Sequence, residues 1–148
     1  MSSITIDLEM KVTEIMTENL ISVDPKTSML KIQEIFEKES FHHLPVLDDQ
    51  RRPVGMISKN DYHKLQHHFT LMNIKDAEIY NQRFFKSLIA KDIMSKKLIS
   101  APASTTIGEA LKMFHDNKYH SIIVVGDGEC VGIVTPYDFI EVLSEIKS

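Results

Sequence analysis

The sequence predicts a mixed helix-and-sheet fold, α/β of the α+β kind. It is built from two copies of one β-α-β-β-α unit packed about a pseudo-twofold axis. Three observations predict it. Two stretches, SFHHLPVLDDQRRPVGMISKNDY from Ser40 and KYHSIIVVGDGECVGIVTPYDF from Lys118, follow one order: His, an apolar run, an acidic turn, Val-Gly, two apolar residues, a hydroxyl residue, and Asp three positions on. The likeness extends upstream, where Val12–Phe36 lies over Ala90–Phe114, with Ile15-Met16 on Ile93-Met94 and Leu20-Ile21-Ser22 on Leu98-Ile99-Ser100. The offset is 78 (93 − 15) as far as His42 and His120, and 77 (132 − 55) at Gly55 and Gly132. A repeat that slips only in a turn, here Asp48–Pro53, is two copies of one structural unit.

Each copy reads the same way from its N-terminal end. Val12, Ile15 and Met16 make a short helical start, and Leu20–Val23 a brief apolar strand. A helix follows, opened by Thr27 or Ser28 in the first copy and by Thr105 or Thr106 in the second. Thr106 and Glu109 have capping-box spacing. Leu44–Leu47 and Ile122–Val125 are apolar runs ended by turns rich in Asp, Gly and Pro, so they read as buried strands. Val54–Ile57 and Val131–Val134 are their hairpin partners, and a last helix closes each copy. Alone, one copy is marginal, because a unit of about 60 residues buries too small a share of its surface.

The expected organisation is an N-terminal extension at 1–11, a first repeat at 12–65, a helical connector at 66–88 and a second repeat at 89–148. In the extension Ile4, Ile6 and Leu8 alternate with polar residues, as a short extended segment does. In the connector Leu65, Phe69 and Met72 fall at i, i+4, i+7, so the last helix of the first repeat runs on. Tyr80, Phe84 and Phe85 make the rest too apolar for a free linker. Met29, Met56, Met72 and Met113 sit at apolar positions and are expected in the core.

Composition narrows the function. A net charge of −4 argues against a nucleic-acid or membrane-surface binder, both of which use a basic excess. Cys130 is the only cysteine, so no internal disulfide forms and a cytoplasmic location is expected. No stretch approaches the ~20 apolar residues of a membrane span, and MSSITIDLEMK lacks the apolar region of a signal peptide. No P-loop, GxGxxG or nucleophile–base spacing occurs, so no catalytic residue is assigned and an enzyme is not expected.

Ser58-Lys59-Asn60-Asp61 and Thr135-Pro136-Tyr137-Asp138 admit two readings. A hydroxyl residue, an acid three positions on and Pro136 at the first helical position are good helix-start chemistry and need no further role. The same geometry also suits a nucleotide. A helix N-terminus offers free N–H groups and a positive dipole end to phosphate, and the carboxylate can accept from both hydroxyls of a ribose. His42 and His43 are equally consistent with polar residues at a strand end. His63, His67 and His68 raise a metal question, but HKLQH lacks the glutamate of HExxH and no third ligand is apparent, so no metal site is assigned.

The order of elements, the strand HHLPVLDD and the strand-to-helix turns GMISKND and GIVTPYD resemble the CBS-domain pair, or Bateman module. The resemblance covers Val12–Leu65 and about Ile89–Leu143, and a stand-alone pair with no further domain attached is expected. Such pairs form disc-like, often dimeric modules whose clefts bind adenosine-containing ligands and regulate another protein. Carried over, one cleft uses Ser58, Asp61, His42 and His43 with Leu98, Ile99 and Tyr119, and Lys59 in the first helical turn adds a positive group to it. The other uses Thr135, Asp138 and His120 with Leu20, Ile21 and Phe41. The apolar members would sandwich adenine, the hydroxyl residues would meet phosphate or ribose, and the acids would hold the ribose. Relatives that grip phosphates strongly often carry Arg after the His, where this chain has His43 and Ser121, which lowers the affinity expected for highly charged ligands.

The resemblance implies a non-catalytic sensor of AMP, ADP or ATP, a homodimer that signals to an unknown regulated protein, with no cofactor beyond the regulatory nucleotide. The alternatives are a ligand-free dimerising scaffold, an S-adenosylmethionine sensor and a metal-responsive protein.

Overall fold

The computed structural model describes residues 7–40, 42–71, 83–84, 86–117 and 120–146. Phe41, Tyr119, Ile4, Ile6, Met72, Tyr80 and Phe85, and the side chains of His68 and Phe69, lie outside that description. The chain divides into two units, residues 21–97 and residues 1–20 with 98–148. The sequence repeats and these units therefore differ at one place: each unit holds the body of one repeat and the leading segment of the other.

In the unit of residues 21–97, helix α1 spans Met29–Lys38. Ser28 rather than Thr27 caps it, its hydroxyl accepting from the Lys31 N–H at 3.3 Å, while Thr27 accepts from the Asp24 N–H at 3.1 Å to close the preceding turn. Met29, Ile32, Ile35 and Phe36 are buried, three or four apart as one helical face requires. Strands β1 (His43–Leu47) and β2 (Pro53–Ser58) pair antiparallel, His43 opposite Ser58 and Val46 opposite Gly55. The expected first strand is reduced to a single parallel bridge, in which Val23 donates to Pro45 O at 3.0 Å and accepts from Leu47 N–H at 2.8 Å.

The extra residue of the β1–β2 turn is accommodated by Arg51 in the left-handed region, φ 60°. Asp48 holds that turn, its carboxylate accepting from the N–H groups of Gln50 (2.9 Å) and Arg52 (2.8 Å) and from Arg52 Nε (2.8 Å). These donors, led by the Arg52 backbone, keep the Asp48 carboxyl below its usual range. Helix α2 (Lys59–Leu71) follows β2 and does run on past Leu65. The short helix α3 (Ala90–Ile93) leads into Ser95, which exchanges backbone hydrogen bonds with Met56 at 3.0 and 2.8 Å.

In the other unit Val12–Glu14 forms a 3-10 turn, and Val12 is buried and donates to Thr105 O at 2.9 Å. Strand β3 (Ser100–Pro102) runs parallel to β4 (Ile122–Gly126), which pairs antiparallel with β5 (Glu129–Val134). Between β4 and β5 lie Asp127 and Gly128, φ 53° and 81°, the two positive values that a tight Asp-Gly hairpin turn requires. Helix α4 (Ile107–Asn117) is capped by Thr106, which accepts from the Glu109 N–H at 3.1 Å while its hydroxyl donates to the Glu109 carboxylate at 3.1 Å. Helix α5 (Pro136–Ile146) closes the unit. Its Phe139 packs edge-on to Phe114 of α4, ring centres 5.9 Å apart, so Phe139 belongs to the inward face. Met29 is fully buried and Met56 nearly so, and Met113 is partly buried in the core, as expected of methionines at these positions.

Candidate functional site

Each unit presents one strand-to-helix turn, and the two are chemically unequal. In the 21–97 unit, β2 ends at Ser58 and α2 begins at Lys59. Ser58 Oγ accepts from the Asp61 N–H at 3.0 Å, an ordinary N-cap bond. His43 lies opposite Ser58 across the hairpin, and the Lys59 N–H donates to His42 O at 2.7 Å. The strand pairing thus brings His42, His43, Ser58, Lys59 and Asp61 to one end of the sheet. Asp61 is exposed, and its carboxylate accepts from no described residue.

In the other unit, β5 ends at Val134 and α5 begins at Pro136. Asp138 is only 6% exposed. Its Oδ2 accepts from the Thr135 N–H at 2.8 Å and stands 3.5 Å from the Thr135 hydroxyl, while Oδ1 accepts from the Thr17 hydroxyl at 3.2 Å. Burial pushes its carboxyl above the usual range, opposed by the Thr135 N–H and then by the Thr17 and Thr135 hydroxyls. His120 is exposed just before β4. Ile99 accepts from the Ile123 N–H at 2.8 Å and packs partly buried on this unit's core, with Leu98 half-buried beside it in sequence.

Leu20 is half-buried and Ile21 exposed, 38%. Ile21 lines an open groove of about 470 Å³ with Val23, Lys31, Lys38 and Arg51. That groove holds none of the turn residues Ser58, Lys59 and Asp61. Its cations are largely answered, since Glu34 pairs with Lys38 at 2.7 Å and Lys31 at 3.8 Å. Among the described residues no three His, Cys, Asp or Glu gather as a metal site, and no helix is long and apolar enough to cross a membrane.

Sequence reasoning missed Thr17. The signal was present, because the offset of 78 (95 − 17) places Thr17 over Ser95, a hydroxyl residue in both copies. Thr17 and Ile133 exchange backbone hydrogen bonds at 2.9 and 3.2 Å, the counterpart of the Ser95–Met56 pair.

The profile of the CBS domain matches residues 12–67 and 90–145. The chain belongs to the CBS-domain family. The domain occurs in two copies, as the internal repeat of the sequence leads one to expect. An uncharacterized protein of Methanocaldococcus jannaschii is 41% identical over 58 residues, covering 39% of this chain and 31% of the relative, so the chain spans about a third of that relative's length. CBSX2, a CBS-pair protein of Arabidopsis thaliana solved in complex with AMP, is 25% identical with a TM-score of 0.74, covering 94% of this chain and 99% of that one. The CBS domain of a bacterial CNNM/CorC-family Mg2+ transporter, solved in complex with ATP, shares the fold at 21% identity and a TM-score of 0.69, covering 90% and 87%.

Proposed function

We propose that this CBS pair is a non-catalytic regulatory module that senses an adenine nucleotide, AMP, ADP or ATP, and passes its state to a partner protein. The observation that carries this reading is the exposed carboxylate of Asp61 beside Ser58 and Lys59 at the start of α2, with His43 on the adjoining strand and His42 just before it. A helix start with a lysine in its first turn suits phosphate, and an unengaged acid suits a ribose diol. The likeness to CBSX2, whose structure contains AMP, supports the ligand class. In this reading Ser58, Lys59 and Asp61, and Thr135 and Asp138, meet phosphate and ribose, His42, His43 and His120 lie near phosphate, and Leu20, Ile21, Leu98 and Ile99 face adenine. Phe41 and Tyr119 keep the adenine-facing roles that the family resemblance implies.

The Ser58 turn gathers more cationic and protonatable groups than the Thr135 turn, where Pro136 removes one backbone donor and Ser121 stands in place of His43. The first turn is therefore proposed to prefer ligands with more phosphates, and the second AMP or adenosine. We assign the protein to the cytoplasm on its single cysteine, and to a homodimer on the exposed apolar side of α5.

The test is a thermal-shift screen with AMP, ADP, ATP, S-adenosylmethionine and GMP. Adenine nucleotides should raise the melting temperature and GMP should do so much less. No shift with any adenosine compound at millimolar concentration returns the protein to the reading of a ligand-free scaffold. The carboxylate of Asp138, already bonded inside its own unit, is the observation on that side.

A further inference from the structure

The two repeats use the same backbone and different side-chain chemistry at one position. Thr17 and Ser95 each form a two-way backbone bridge to the strand before the turn, Thr17 with Ile133 and Ser95 with Met56. Ser95 turns its hydroxyl to its own loop, where it accepts from the Lys97 N–H at 3.3 Å, and Asp61 is left open. Thr17 turns its hydroxyl to the acid and donates to Asp138 Oδ1 at 3.2 Å. With the Thr135 N–H on Oδ2 at 2.8 Å, both oxygens of Asp138 are engaged, and the residue is 6% exposed with the exposed Thr17 standing on it. A ribose diol that donates one hydroxyl to each carboxylate oxygen needs access to both, and each donor already in place takes one of that oxygen's two lone pairs.

We infer that Thr17 is a specificity-determining gate on the second repeat: its hydroxyl competes with a ligand's ribose for Asp138, so this site admits a ribonucleotide only by displacing Thr17, whereas the Asp61 site stands open. This rests on the nucleotide reading above and deepens it. Three consequences follow from the competition. The Asp61 site fills first. The second site discriminates poorly between ribose and deoxyribose, because the gain from the diol is offset by the lost Thr17 bond. And the leading segment at residues 11–17, which carries Thr17, feels the second ligand through that bond.

The experiment isolates the second site by working in the full chain with Asp61→Ala. Binding of AMP and of 2′,3′-dideoxy-AMP is measured by calorimetry for this protein alone and with Thr17→Val or Thr17→Ser added. Valine keeps the shape and removes the donor, and serine restores the donor. One competing hydrogen bond removed should tighten AMP about threefold to tenfold in Thr17→Val. The dideoxy ligand should be unchanged, and Thr17→Ser should stay close to the parent. If Asp61→Ala alone binds no AMP while the unmodified protein does, Thr17→Val should restore binding, and silence there overturns the gate. Weaker AMP binding in Thr17→Val would make Thr17 a ligand contact instead, and equal changes for both ligands would make it merely structural. Either result overturns the inference and leaves the nucleotide reading standing. An unmodified protein that binds no adenosine compound removes both.

Discussion

Asp61 and Asp138 occupy equivalent positions, yet one is solvated and the other is a buried acceptor. Asp138→Ala strands the Thr135 N–H and the Thr17 hydroxyl, so it should cost about 1–3 kcal/mol of stability. Asp61→Ala removes an exposed acid from a helix start and should cost about 0.3–1 kcal/mol. Denaturant unfolding of the two variants checks the order, and equal losses would show that the bonds around Asp138 carry little energy.

The raised Asp138 pKa has a sign that can be followed. Burial favours the neutral acid in the folded state, so its contribution is fully present below the ordinary value of 3.8 and is lost as pH rises through the higher folded value. Compared with Asp138→Asn, the native protein should therefore lose stability as pH climbs from the ordinary carboxyl value of 3.8 through the raised folded value. A melting-temperature difference constant across that window would contradict it. The sequence placed both acids one turn into a helix but could not separate them, because their difference depends on Thr17, about 120 residues from Asp138 in the chain.

At the scale of elements, a methionine seated on a glycine joins each leading segment to a hairpin. A side-chain carbon added at Gly132 would run into the sulfur of Met16, and one at Gly55 into the sulfur of Met94. Neither glycine needs a left-handed backbone, so the requirement is space. Gly55→Ala and Gly132→Ala should each destabilise by about 1–3 kcal/mol, as overpacking does. Shortening the facing methionine in Gly132→Ala/Met16→Ala should recover part of the loss, and no recovery in the double variant would rule out the steric account.

Most elements were legible because each carries its own signal. Period-three-and-four burial marks α1, Asp-Gly marks the β4–β5 turn, and Thr106 with Glu109 marks the start of α4. What local pattern could not reveal was partnership. The first strand of the first repeat fades to the bridge at Val23, and the segments before Leu20 and Lys97 fold with the other repeat's body. The sequence period records which segments are copies, and the packing records which segments are neighbours. The exchange is nonetheless consistent with Gly55 and Gly132 recurring at the same place in both copies.

On the scale of the whole molecule, the outer side of α5 exposes Tyr137, Ile140 and Leu143 at 64%, 57% and 39%. They recur every third residue, which places neighbours along one side of the helix, and apolar side chains grouped in this way suit an association face. A homodimer is the expected outcome. Light scattering should give about twice the 17.0 kDa chain mass, and Ile140→Glu should return the protein to monomer without unfolding it. A monomer mass for the unmodified chain at every micromolar concentration would count against a self-association face.

The central claim is that this pair of CBS domains binds an adenine nucleotide through the turn at Ser58–Asp61. Isothermal calorimetry of the unmodified chain and of Asp61→Ala, each titrated with AMP and then ATP, tests it most directly. The account predicts micromolar binding, about −8 kcal/mol, for the unmodified chain. It also predicts a loss of roughly tenfold or more in Asp61→Ala, while the fold, read by melting temperature, stays nearly as stable. No heat with either nucleotide, or equal affinity in the two proteins, would contradict it and leave Ser58 and Asp61 as helix-start chemistry alone.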